Sequence, residues 1–244
     1  MRTHVALWIS FSFLLYAAQG ATVTFTNQCS YPLWPATLTG GENAQQLANT
    51  GFELQPGESD SVELPSPWSG RFWARTGCSN NGGGFTCATG DCASGQVECN
   101  GAGGIPPVTL VEITVAENGG QDFYDVSNVD GFNVPVSISP EGGTGECATS
   151  TCPVNINDQC PEQLQQRDSN GNVIACKSAC EAFGDDQYCC TGNNSTPETC
   201  PPTDFSLFFE EQCPDAYSYA YDDQNSTFTC SSSPNYFIIF CPDP

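Results

Sequence analysis

Histidine, positive charge and long apolar runs are what this sequence has least of. Its one histidine is His4, and its 5 lysines and arginines face 28 aspartates and glutamates, a net charge of −23 at pH 7. His4 and Arg2 both lie in "MRTHVALWISFSFLLYAAQG", where a cation precedes an apolar run and the small-residue pattern Ala18-Gln19-Gly20. Residues 1–20 read as a secretory signal peptide cut before Ala21, because the run is too short for a membrane span. The cations then left are Arg71, Arg75, Arg167 and Lys177, and no imidazole remains. Histidine-dependent triads, cysteine–histidine pairs and histidine zinc sites are therefore excluded. Nucleic acid and anionic membrane surfaces are poor electrostatic partners for so acidic a chain. No later segment approaches the roughly 20 apolar residues of a transmembrane helix. The end, "FIIFCPDP", carries no lipid-anchor or retention signal.

Cysteine, by contrast, is abundant: 16 residues, all after the signal. In an oxidising compartment an even count reads as eight disulfides, whose connectivity the sequence alone does not give. Cys189 and Cys190 are chain neighbours, too close for an ordinary bridge, so they go to different partners. With every thiol oxidised, no thiolate nucleophile is left. Catalysis, if any, falls to carboxylates, with tyrosines or Lys177 a distant second. "RDSNGNVI" lacks the glycine and terminal glutamate of a calcium loop at the required spacing and reads as a turn. No metal site and no cofactor is expected. Asn193, Asn194 and Asn225 head glycosylation sequons.

The patterning is β-rich. "ATVTFTNQC" alternates, and in "VTLVEITV" Val111, Ile113 and Val115 share one face while Leu110, Glu112 and Thr114 share the other. "GRFWART", "NVPVSISP" and "NYFIIFC" read as strands, and "GFELQPGESDSVELP" as two short runs around a turn. Many short strands punctuated by glycine and proline suggest an antiparallel sandwich or barrel. From Cys152 to Cys213 the texture changes: "CPEQLQQ" and "ACKSACEAF" have helical spacing among dense cysteines. Between Cys78 and Cys99, glycine and cysteine are too frequent for regular structure, which points to a compact loop module.

Most of the acids belong on a solvated surface. "QDFYDVSNVDGFNVP" raises a sharper question, because it holds Asp122, Asp125 and Asp130 among aromatics and glycine. Asp125 and Asp130 are an odd number apart, so a straight strand would put them on opposite faces. For them to converge the chain must bend between them, near Asn128.

"GGFTCATGDCASGQVEC" resembles the signature of the thaumatin-like proteins, a plant pathogenesis-related group. The match continues through "FWARTGC", "QDFYDVSNVDGFNVP", "YCCTG", "TCPPTDFS" and "CPDAYSYAYDD", over essentially the whole chain after the signal. Length and acidity are similar to the fruit-type members, some of them allergens. The resemblance implies an all-β fold: a flattened antiparallel β-sandwich (residues 21–75, 107–151 and 214–244), a small disulfide loop module (76–106) and a disulfide-rich helical lobe (152–213). It implies the bridges Cys29–Cys241, Cys78–Cys87, Cys92–Cys99, Cys147–Cys230, Cys152–Cys213, Cys160–Cys176, Cys180–Cys189 and Cys190–Cys200. It also implies an acidic cleft between sandwich and lobe, lined by Arg75, Glu112, Asp125, Asp130 and Asp222, with Asp223 beside the last. Asp122 lies outside that motif and stays with the solvated acids.

Clustered carboxylates shift one another's pKa, so one can hold a proton while another stays charged. Glycoside hydrolysis needs such a pair, and Glu112 as acid with Asp125 as nucleophile or base is the pair to test. The implied function is secreted plant defence, extracellular in apoplast or vacuole. The protein is expected to be a monomer that binds β-1,3-glucan or fungal wall polysaccharide in the cleft, with at most weak endo-β-1,3-glucanase activity. A binding cleft without turnover uses the same residues, and a purely structural role for them is a third reading. The alternative from another class is a membrane-permeabilising or protein-inhibiting defence protein, which the scarcity of cations disfavours.

Overall fold

The computed structural model describes residues 20–41, 44–80 and 82–243. The signal-peptide reading, Gly20 apart, lies outside them. In chain order the strands begin with β1 (Ala21–Asn27), β2 (Trp34–Thr39), β3 (Ser59–Leu64), β4 (Trp68–Arg75), β5 (Ser79–Asn80) and β6 (Phe85–Thr86). Next come β7 (Leu110–Val115), β8 (Gln121–Ser127), β9 (Val136–Glu141), β10 (Ser150–Cys152), β11 (Gln165–Arg167) and β12 (Val173–Cys176). The last are β13 (Ala216–Tyr217), β14 (Phe228–Ser231) and β15 (Asn235–Phe240). Four short helices are described: α1 (Ala179–Phe183), α2 (Asp186–Cys189), α3 (Asp204–Gln212) and α4 (Asp223–Ser226).

Two sheets enclose one core. The first is five-stranded in the order β10-β9-β15-β1-β3; the second runs β13-β8-β7-β4-β2, with β14 also paired to β8. Alternation makes each sheet two-faced. In β1, Ala21, Val23 and Phe25 are buried, and in β15 so are Tyr236, Ile238 and Phe240. From the second sheet, Phe72, Val111, Ile113, Tyr124 and Val126 meet them. Rings bridge the layers: Phe25 lies 5.2 Å from Phe72, and Tyr124 lies 5.4 Å from Tyr236, both edge-on. Such pairs add about 0.5–1.5 kcal/mol each beyond the area they bury.

The sandwich is not purely antiparallel. β1 pairs with β15 in parallel, as does β13 with β8. The first and last long strands can lie side by side because the whole chain intervenes, and Cys29–Cys241 ties their ends together. The structure forms eight disulfides, the same pairs that the resemblance implies, with Cys189 and Cys190 joined to Cys180 and Cys200.

The helical reading of "CPEQLQQ" needs correction. Only Glu162–Leu164 turn, as one 3-10 turn, and Gln165–Arg167 pass into a strand paired with β12. Between β11 and β12 the "RDSNGNVI" stretch is a turn: the Asp168 carboxylate accepts from the backbone N–H groups of Asn170 and Asn172. Helix α1 does form within "ACKSACEAF", with the Ser178 hydroxyl accepting from Glu181 N and Gly184 ending it in the left-handed region. Helix α3 starts on a reciprocal cap between Thr203 and Ser206.

The loop module packs over one end of the second sheet. Buried Trp73 donates its Nε1–H to Gly90 O at 2.8 Å. Gly90 has a φ of +64°, and a Cβ there would sit 2.9 Å from Ala74 O, so the close approach of module to strand requires glycine.

Candidate functional site

Strand register builds the site. Arg71 on β4 stands opposite Glu112 on β7, and Glu112 stands opposite Asp125 on β8. Their neighbours along each strand (Phe72, Val111, Ile113, Tyr124, Val126) point into the core, so this row lies on the outer face of the sheet. The next row on the same face runs Ser69, Thr114, Phe123.

Asp130 reaches the row through a turn. β8 ends at Ser127, and Asn128 N donates to Tyr217 O at 2.8 Å. Gly131 N then donates to Asn128 O at 2.9 Å, closing the bend. Gly131 has a φ of +88°, and a Cβ there would lie 2.7 Å from both Cys176 O and Pro107 Cβ. The bend carries Asp130 back over the sheet, where its Oδ2 is 3.8 Å from Arg71 Nη1. Both side chains are about two-fifths exposed (41% and 38%), so the pair is worth about 0–1 kcal/mol and serves mainly to place charge.

The row's electrostatics are uneven. Burial pushes the Asp125 carboxyl up to about 8, with the charges of Glu112 and Asp223 adding to it. One of its oxygens, Oδ1, is buried without a hydrogen-bond partner. Burial also raises Glu112; Asp130 adds to that shift while Arg71 opposes it. Asp125 therefore holds its proton into neutral pH, and Glu112, beside the cation, is the acid favoured to ionise. The sequence reading has Glu112 as the proton donor, whereas burial raises Asp125 to about 8.

The two neighbouring aspartates divide. Asp223 accepts from Tyr217 OH at 2.8 Å, and its charge reaches Asp125. Tyr217 OH is also hydrogen-bonded to Thr227 Oγ1. Asp222 faces the other way: its Oδ2 accepts from Ser218 N at 2.9 Å and Ser218 Oγ at 2.8 Å. Its partner is Glu210 on α3, whose carboxyl is raised to about 7 by burial first and by Asp222 next. Asp222 is thus held by Ser218 next to Glu210, while the charge of Asp223 bears on the acid row.

Arg75, expected in the cleft, is not gathered with the acids. It is fully buried, donating Nε–H to Trp34 O at 3.0 Å and Nη2–H to Val97 O at 2.6 Å. Its guanidinium lies over the Phe85 ring, 5.3 Å from the centroid, and the acids nearest to it electrostatically are Asp91 and Glu98 of the loop module. Burial lowers its pKa to about 10. Arg75 pins the module to β4; the cation among the acids is Arg71. "GRFWAR" offers both, and only cross-strand register separates them. Asp122, placed above among the solvated acids, is also corrected: it is 1% exposed, accepting from Ala116 N and from Tyr236 OH, each at 2.8 Å. Its position in the strand, opposite in parity to Asp125, was the signal.

A groove of three adjoining hollows runs past these groups, the first two sharing Val129, Asp130 and Ala220 and the last two sharing Arg71 and Glu112. Toward the lobe it is lined by Val129, Asp130 and Tyr219 on one side and Tyr188 and Phe209 on the other. Its middle lies over Arg71, Glu112, Asp130 and Tyr217. Its far stretch starts at Arg71, Glu112 and Asp125 and continues over Ser69, Thr114 and Phe123. Of the sequon residues, Asn193 and Asn225 are exposed, while the Asn194 side-chain amide donates to Thr199 O at 2.6 Å. Among the described residues no group of three or more candidate ligands could hold a metal ion, and no helix is long and apolar enough to cross a membrane.

Comparison with known proteins fits this architecture. A sequence model of the Thaumatin family matches residues 27–242. Thaumatin-like protein 1a of Malus domestica is 61% identical over 99% of this chain and 100% of its own length. A Prunus avium protein named glucan endo-1,3-beta-glucosidase is 57% identical over 98% of both chains. Among solved structures, a laminaripentaose-producing β-1,3-glucanase of glycoside hydrolase family 64 from Paenibacillus barengoltzii shares the fold. The TM-score is 0.58 at 14% identity, over 91% of this chain and 74% of that one. The chain belongs to the thaumatin family.

Proposed function

We propose that the groove binds a β-1,3-glucan chain, and that Asp125 and Glu112 can hydrolyse it slowly. One observation carries this reading: the two acids stand directly opposite each other on adjacent strands. Such residues have Cβ atoms about 4.5–5.5 Å apart. Cross-strand partners this close can bring their carboxyls to the roughly 5–5.5 Å spacing of a retaining glycosidase.

In this mechanism protonated Asp125 donates to the glycosidic oxygen as its bond to the anomeric carbon breaks. Glu112, charged beside Arg71, attacks that carbon and forms a glycosyl ester. Water, deprotonated by the Asp125 carboxylate, then cleaves the ester, restoring the Asp125 proton and freeing Glu112. Activity falls on the alkaline side as Asp125 loses its proton near about 8, and on the acid side as Glu112 gains one. Asp130 and Asp223 accept sugar hydroxyls, and Tyr188 and Tyr219 offer ring faces toward the lobe. The name of the Prunus avium relative supports the substrate class. The setting is extracellular plant defence by a monomer, in keeping with the family and its disulfides.

The test is reducing-sugar release from laminarin, with retention on insoluble β-1,3-glucan measured in parallel. Release by wild type that is lost in Asp125→Asn and Glu112→Gln is the expected result. Retention without release reduces the reading to binding alone. Neither retention nor release rejects it.

A further inference from the structure

We propose that Phe123 is a sugar-stacking platform that extends the groove beyond the acid row, so that affinity depends on chain length; this rests on the glucan reading above. Phe123 is the exposed aromatic of the outer sheet face, 45% accessible. Among the described residues no other aromatic ring packs on it. It lies two residues from Asp125 on the same face of β8, about 6.6 Å along the strand. Its cross-strand neighbours are Thr114 and Thr229. Beyond Thr114 come Ser69 and then Gly40, which has no side chain. Phe123 is thus the one tall side chain in a low row.

That row bears no charge, in a chain with 28 acids. It presents an apolar ring beside hydroxyls. Ser69 Oγ and Thr114 Oγ1 are bonded to each other at 3.0 Å, and each keeps further donor or acceptor capacity. A ring flanked by uncharged hydroxyls suits a pyranose, which turns C–H groups toward an aromatic face and hydroxyls toward its rim. The groove joins this row to the acids through Arg71 and Glu112, which border both stretches. A chain crossing the acids therefore meets Phe123 next, and a short oligosaccharide held between the acids and the lobe does not reach it.

The experiment is calorimetric titration with laminaritriose and laminarihexaose of wild type, Phe123→Ala and Phe123→Tyr, with sedimentation to record the oligomeric state. Wild type is expected to bind the hexasaccharide more tightly. Phe123→Ala should lose about five- to tenfold in hexasaccharide affinity, the size of one aromatic contact, and leave the trisaccharide unchanged. Phe123→Tyr should retain both. Equal weakening of both lengths, an unchanged hexasaccharide affinity in Phe123→Ala, or a dimer that dissociates in that variant would overturn the platform alone. Wild type that binds neither oligosaccharide would overturn the glucan reading and the platform with it.

Discussion

Arg71 and Arg75 sit four positions apart on one strand and do opposite work. Arg75 is sealed beneath the loop module with its guanidinium on backbone carbonyls, whereas Arg71 stands in the open groove beside Asp130. Removing a buried charged donor leaves its acceptors unsatisfied, at about 1–3 kcal/mol per group. Arg75→Ala should therefore destabilise the protein by roughly 2–4 kcal/mol in denaturant melts and leave glucan affinity per folded molecule unchanged. Arg71→Ala should weaken glucan binding and leave the melt within about 0.5 kcal/mol of wild type. The reverse pattern would restore Arg75 to the cleft. Asp125 carries its own signature. Its folded pKa lies above the usual carboxylate value, so the folded state holds a proton that the unfolded chain releases. The stability tied to that proton is present at acid pH and is lost as pH rises toward about 8. Asp125→Asn should accordingly gain stability over wild type at pH 8 relative to pH 4, by at least about 1 kcal/mol, in melts at both values.

Adjacent strands turn scattered sequence positions into a site. Alternation in "VTLVEITV" is enough to put Glu112 outward with Thr114, and the odd spacing of Asp125 and Asp130 is enough to require a bend. The bend falls at Asn128–Gly131, where the sequence reading expects it. Register is a different matter. Nothing local states that Arg71, rather than Arg75, faces Glu112, because that depends on how β4 slides against β7 and on what covers the end of the sheet. Likewise Asp222 and Asp223 are neighbours whose destinations depend on where α3 docks. The short strand after "CPEQL" was hidden because cysteine-stapled segments follow their bridges more than their periodicity. At the bend, Gly131→Ala must force a side chain into a left-handed backbone against Cys176 O and Pro107. The expected cost is about 1–3 kcal/mol. Glucan affinity should also fall, since Asp130 rides on the same turn; a stable variant with unchanged affinity would detach Asp130 from the site.

At the scale of the molecule, the cross-links hold what the sheets alone would leave loose. Cys29–Cys241 has a sequence separation of 212, so it closes nearly the whole described chain into one loop. Loop-closure entropy assigns such a bridge about 5 kcal/mol. Cys29→Ser/Cys241→Ser should lose roughly 2–5 kcal/mol in denaturant melts. The outward acid row should persist in the folded fraction, because its register is set by β4, β7 and β8. The general plan (β-sandwich, loop module, stapled lobe) was readable through the cysteine-rich signature, while the parallel pairing of the terminal strands was not. Two strands far apart in sequence leave no turn between them to announce their direction. Overall charge fits the groove's chemistry: an acidic molecule approaches a neutral polysaccharide without penalty and is repelled by anionic surfaces.

The paired acids, Glu112 and Asp125, carry the proposed function. Side-chain carboxyl resonances of Glu112 and Asp125, followed by NMR through a pH titration with and without laminarihexaose, read both protonation and contact. Asp125 should titrate at about 8, and both resonances should move when the sugar is added. An Asp125 that titrates in the ordinary carboxylate range, with neither resonance responding to the oligosaccharide, would contradict it.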